Sequence, residues 1–129
     1  MSKDDRTGRS GFTLIELIAV LAILAVLSAL SIPRFVEVDA SAAKQAMRSA
    51  VVELNNRESL TWNQVKLSTT GWVGDADLFS QVNTDLGPDF KWTPNASDEG
   101  GNLHFKEHML KLERESSLAT CPATWAEKK

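Results

Sequence analysis

Gly11-Phe12-Thr13-Leu14-Ile15-Glu16-Leu17-Ile18 opens an apolar run that ends at Ile32-Pro33. From Phe12 to Ile32 there is one charge, Glu16, and the only other polar side chains are Thr13, Ser28 and Ser31. As a helix, 21 residues span about 31 Å, enough to cross a bilayer core. A carboxylate inside such a span costs roughly 2.5 kcal/mol or more on insertion scales, so Glu16 needs a partner.

Outward from this run the chain is ordinary. Its 129 residues leave room for one small domain beside the apolar segment. Mean hydropathy of −0.19 averages two unlike parts. Formal net charge is −3, and residues 1–11 oppose Lys3, Arg6 and Arg9 to Asp4 and Asp5. That balance gives no basic surface for nucleic acid, and none is expected as a partner. A slightly basic leader ahead of an apolar run is retained in the cytoplasm, which places the remainder outside it. Cys121 is alone, so an intrachain disulfide is excluded, while an intermolecular bridge stays open.

Three readings fit residues 12–33. One is a cleaved signal peptide, with Ala29-Leu30-Ser31 as a small-residue box, although the run is long for an h-region and Glu16 interrupts it. Another is a plain anchor with an incidental carboxylate. The third is a helix that first spans the membrane and later packs between subunits.

Gly11-Phe12-Thr13-Leu14-Ile15-Glu16, behind a short basic leader and before a long apolar run, resembles the processing site of type IV pilins and type II secretion pseudopilins. The resemblance covers residues 1 to about 57. It implies cleavage after Gly11 by a membrane peptidase and N-methylation of the new terminus, Phe12, by the same enzyme. It implies storage of a single-pass subunit in the bacterial inner membrane, its N-terminus cytoplasmic. Self-assembly into a helical filament by inner-membrane machinery then follows, the product being an extracellular pilus or a periplasmic pseudopilus. Glu16 would pair with the Phe12 amine of a neighbouring subunit, since two such charges neutralise each other where each alone is expensive. The paired cysteines many pilins carry near the C-terminus are missing.

Pro33 predicts a kink or local melting, because proline removes a donor and clashes with the preceding turn. Beyond it, Phe35, Val38, Ala42, Ala46, Ala50 and Leu54 recur at helical spacing, widened by Met47 and Val51. Residues 13 to about 57 therefore read as one long helix with a flaw near Pro33. Residues 58–89 read as a variable loop region, in which Glu58–Lys66 could continue the helix and Asp75 or Asp77 could cap a short one over Ala76–Val82. Alternation at Phe90-Lys91-Trp92-Thr93, Leu103-His104-Phe105-Lys106 and Met109–Arg114 predicts about three antiparallel strands within 90–115. Phe90, Trp92, Leu103, Phe105, Leu110 and Leu112 would face the Ala-rich helix. Residues 116–129 read as a surface tail, with Trp125 tucked against the head. The expected fold is α+β, a long N-terminal helix packed on a small antiparallel sheet, with a leader at 1–11, a membrane helix at 12–33 and a head at 34–129.

No catalytic constellation appears. His104 and His108 lack further ligands at zinc spacing. Asp75 with Asp77, or Asp98 with Glu99, supply too few oxygens for calcium without backbone help. No nucleophile motif or phosphate loop occurs, so neither an enzyme nor a cofactor is expected. Of Trp62, Trp72, Trp92 and Trp125, spread over the head, most read as core residues rather than an adhesive surface. The contrasting possibility is a monomeric, membrane-anchored binding domain using residues 58–129, for which Glu16 would be dispensable.

Overall fold

The computed structural model describes residues 11–129. The leader proposed for residues 1–11 lies outside the described residues except for Gly11. The chain divides into two compact units, one up to Asp39 and one from Ala40 to Lys129. A single helix, α1 (Leu14–Leu67), supplies residues to both.

In the first unit, α1 carries Leu14, Ile15, Leu17, Ile18, Leu21 and the apolar residues after them in exposed positions. The segment is long and apolar enough to cross a membrane. Its interior hydroxyls are satisfied locally. Ser28 Oγ donates to the carbonyl of Leu24 (2.7 Å) and Ser31 Oγ to that of Leu27 (2.8 Å), so neither needs an outside partner in lipid. The helix assignment is unbroken at position 33, where the sequence predicts a flaw. Proline removes one donor from the ladder, and the bonds before and after it are enough to carry the helix through.

In the second unit, α1 lies with α2 (Asp75–Gln81) and a sheet of four antiparallel strands in sequential order: β1 (Phe90–Trp92), β2 (Gly100–Phe105), β3 (His108–Glu115) and β4 (Thr124–Glu127). The fold class is the α+β one expected, with one strand more. Phe90 pairs with Phe105, Leu103 with Leu110, and Arg114 with Trp125. The core gathers Ala50 and Leu54 from α1, Leu103 and Leu112 from the sheet, and Trp125 from β4. Phe90, Trp92 and Leu110 pack against it half-buried, as the alternation anticipates. Ring contacts tie the strands together: Trp92 of β1 and Trp125 of β4 lie 5.6 Å apart, and Phe90 of β1 and Phe105 of β2 4.9 Å apart.

Three boundaries differ from the sequence reading. The helix runs to Leu67 rather than about 57, because Glu58 and Val65 are buried and hold the extra turns against the head. Ser68 then closes the end, its Oγ donating to the Val65 carbonyl at 2.7 Å. The supposed loop region 58–89 thus contains the last turns of α1 and all of α2. The supposed tail contains β4, pinned because Asn55 exchanges two hydrogen bonds with the backbone of Trp125 (2.6 and 3.1 Å). β2 starts at Gly100 rather than Leu103. Gly100 has φ +128, and a side chain there would meet the backbone of Leu112; a Cβ at Gly101 would sit 3.2 Å from the Trp92 ring. Glycines that read as a turn are what lets the strand lie this close to its neighbours.

Candidate processing and assembly site

Gly11 and Phe12 precede the helix in non-helical backbone, and Phe12 is 87% exposed. Nothing lies within 4 Å of the position a Cβ would take at Gly11, and its backbone is not left-handed. The fold itself therefore places no demand for glycine at this position, in contrast to Gly100.

Thr13 and Glu16 close the helix start on each other. The Thr13 N–H donates to Glu16 Oε2 (3.1 Å), and the Glu16 N–H donates to Thr13 Oγ1 (3.3 Å). This is the reciprocal capping box of a Thr-x-x-Glu sequence, and it satisfies two donors that a helix start otherwise leaves open. The carboxylate also sits beside the positive end of the helix dipole. One oxygen of Glu16 is thus committed to its own backbone and the other is left for a partner. Read from sequence, Thr13 counts only as a polar side chain of the run, although a threonine followed three residues later by glutamate ahead of an apolar run announces its capping role.

The head holds a second polar construction, also missed. Arg114 on β3 is buried and donates through Nε to Glu58 Oε1 (2.6 Å) and through Nη2 to Glu58 Oε2 (3.2 Å). Its Nη1 and Nη2 reach Asp75 Oδ2 and Oδ1 at 2.8 and 2.9 Å, and Nη1 also reaches the Asp98 carbonyl at 3.1 Å. Trp125 Nε1 donates to Glu58 Oε1 (2.9 Å), and both the N–H and the hydroxyl of Ser117 donate to Asp75 Oδ1 (2.7 Å each). The guanidinium lies 4.9 Å over the Phe79 ring. Burial pushes the Asp75 carboxyl up, but the hydrogen bonds from Arg114 and Ser117 outweigh it and hold the group down at about 2. Burial likewise disfavours the charged Arg114, and its bonds to Asp75 and Glu58 overcome this and raise it.

Asp75 therefore neither caps α2 nor offers itself to calcium. The α2 N-cap position is Gly74, with no side-chain cap, and the Asp75 oxygens are spent on Arg114 and Ser117. Asp77 accepts from Gln81 instead. Among the described residues no three His, Cys, Asp or Glu side chains lie together as a metal site. The tryptophan N–H groups all find oxygens: Trp62 that of Leu118 and Trp92 that of Thr84, both at 2.9 Å, and Trp72 the Ser117 hydroxyl at 3.4 Å.

Residues 6–32 match the family model for the prokaryotic N-terminal methylation motif. The chain carries the amino-terminal signature of type IV pilins and pseudopilins. In a pilin-like chain this motif marks processing by prepilin peptidase, and the apolar helix behind it fits a membrane span. The matched stretch contains Gly11, Phe12, the capping box and the whole apolar run, and it ends one residue before Pro33. No curated protein matches the chain, and no solved structure does.

Proposed function

We propose that this protein is a structural subunit of a type IV pilus-like filament, cleaved between Gly11 and Phe12, N-methylated at Phe12, and held in register by Glu16. The observation that carries the reading is the junction itself. An exposed, non-helical Gly11–Phe12 bond stands directly ahead of a capped apolar helix, at a glycine the fold does not require. A glycine without a structural reason is suited to recognition by a processing enzyme.

Cleavage would create an α-amino group at Phe12. In the precursor that nitrogen is a neutral amide; in the mature chain it is a cation. The Glu16 oxygen left over from the capping box then has a counterpart on a neighbouring subunit, and pairing there would relieve the cost of a lone carboxylate in apolar surroundings. The helix serves twice, as a membrane anchor for the stored subunit and as a packing surface in the filament.

The test is the mass and N-terminal residue of the mature protein, followed by assembly of Glu16→Ala. Methylated Phe12 at the terminus, with Glu16→Ala subunits processed but assembled at reduced yield, is the expected result. Glu16→Ala filaments at normal yield would defeat the pairing, and an unprocessed terminus would favour a monomeric anchored domain.

A further inference from the structure

A groove of about 370 Å³ lies wholly within the second unit. Its floor is the small-residue face of α1 at Ala46 and Ala50, and its wall is Leu86, Phe90 and Phe105. Glu53 and Arg57 form the rim, joined to each other at 2.8 Å. Small floor residues let another helix approach closely, and the aromatic wall offers it an apolar contact.

The same chain carries a segment of matching character. Phe35, Val36 and Val38 are 74%, 65% and 66% exposed. A bilayer core takes about 20 helical residues, a length used up by Phe12–Ile32, so lipid does not cover these three. Arg34 and Glu37 flank them, and among the described residues neither makes a salt bridge. On a helix Arg34, Glu37, Val38 and Phe35 occupy one arc. The segment thus presents a cation followed by an anion one turn later, and the groove rim presents an anion, Glu53, followed by a cation, Arg57.

We propose that the groove receives Arg34–Val38 of a second copy of this chain, its helix parallel to α1 and staggered by about 20 residues, roughly 30 Å. In that register Arg34 meets Glu53 and Glu37 meets Arg57, while Phe35 and Val38 enter against Leu86, Phe90 and Phe105. An antiparallel helix would set like charges against each other. Glu53 is half exposed, so it can accept a second cation. Arg57 already holds the Asn83 and Asp85 carbonyls through Nη1, which fixes its guanidinium with Nη2 available. The inference rests on the filament reading and adds to it a contact between heads and stems.

The experiment uses the full-length chain in its assembling host, scored for N-terminal processing and for filament yield. Arg34→Glu and Glu53→Arg are each expected to cut assembly at least roughly tenfold through like-charge juxtaposition, and the double variant to restore it. Ser49→Trp, which fills the groove from its α1 side, is expected to block assembly, while Ser49→Ala leaves it intact. A Phe35→Cys/Leu86→Cys chain in a Cys121→Ser background should give a ladder of cross-linked multimers. Processed subunits whose filaments form normally with Ser49→Trp, with no rescue by the double exchange and no ladder, would overturn the docking and leave the filament reading standing. A wild-type chain that is neither processed nor assembled would overturn both.

Discussion

Replacing Arg114 by methionine should be among the most damaging single changes in the head. The guanidinium makes five hydrogen bonds: two to Glu58, two to Asp75 and one to the Asp98 carbonyl. Methionine keeps much of the stem and removes every donor. Glu58, 0% exposed, is then left with the Trp125 N–H, and Asp75 with Ser117. Two carboxylates would share a site with no cation. Breaking a buried pair in this way costs about 3–5 kcal/mol, against a total stability of about 5–15 kcal/mol for a domain. At 4–8 °C per kcal/mol for a domain this size, the midpoint falls by roughly 20 °C. The assay is urea unfolding of the full chain in detergent, followed by tryptophan fluorescence, since Trp125 and Trp72 both touch the network. Adding Glu58→Gln and Asp75→Asn to Arg114→Met removes the stranded charges and should recover about half of the loss. A cost below about 1 kcal/mol for Arg114→Met, or a triple variant no better than the single one, would refute the view that stranded charge sets the penalty.

Two further outcomes follow from the geometry. The Asp75 carboxyl is depressed in the folded chain from 3.8 to about 2, so its contribution is present above pH 4 and is lost as pH falls through about 2. It amounts to about 2 kcal/mol at neutral pH, and Asp75→Asn should flatten that part of a stability-against-pH curve. Thr13→Val keeps the shape of the residue but loses the cap, which should cost the first turn of α1 about 1 kcal/mol, seen as faster amide exchange at Leu14–Leu17; Thr13→Ser should restore protection, and equal exchange in the valine variant would count against the capping box.

Much of this architecture is written in local pattern. The apolar run, the Ala-rich face and the alternating strands each follow from a period that one element satisfies by itself, and the motif at Gly11–Glu16 is contiguous. The capping box was legible too, as Thr13 and Glu16 at the required spacing. The network in the head was not. Glu58, Asp75, Arg114 and Trp125 sit on four different elements, and each looks unexceptional among its neighbours: a charge on a helix, a charge before a short helix, a charge ending a strand, an aromatic in a polar tail. Only tertiary closure reveals that the four share one set of hydrogen bonds. The same closure explains the boundary errors, since α1 continues past position 57 to deliver Glu58, and β4 forms where Trp125 can reach it. Gly100 and Gly101 misled for a related reason: in sequence they signal a turn, while in the sheet they make room for Leu112 and the Trp92 ring.

The order in which a ribosome releases the network matters as well. Glu58 emerges early and Trp125 late, 67 residues on, so a nascent head holds an acidic group at its centre before the groups that make it tolerable have been synthesised. A chain interrupted between Arg114 and Trp125 would lack β4 and the indole bond, and should open readily to proteases.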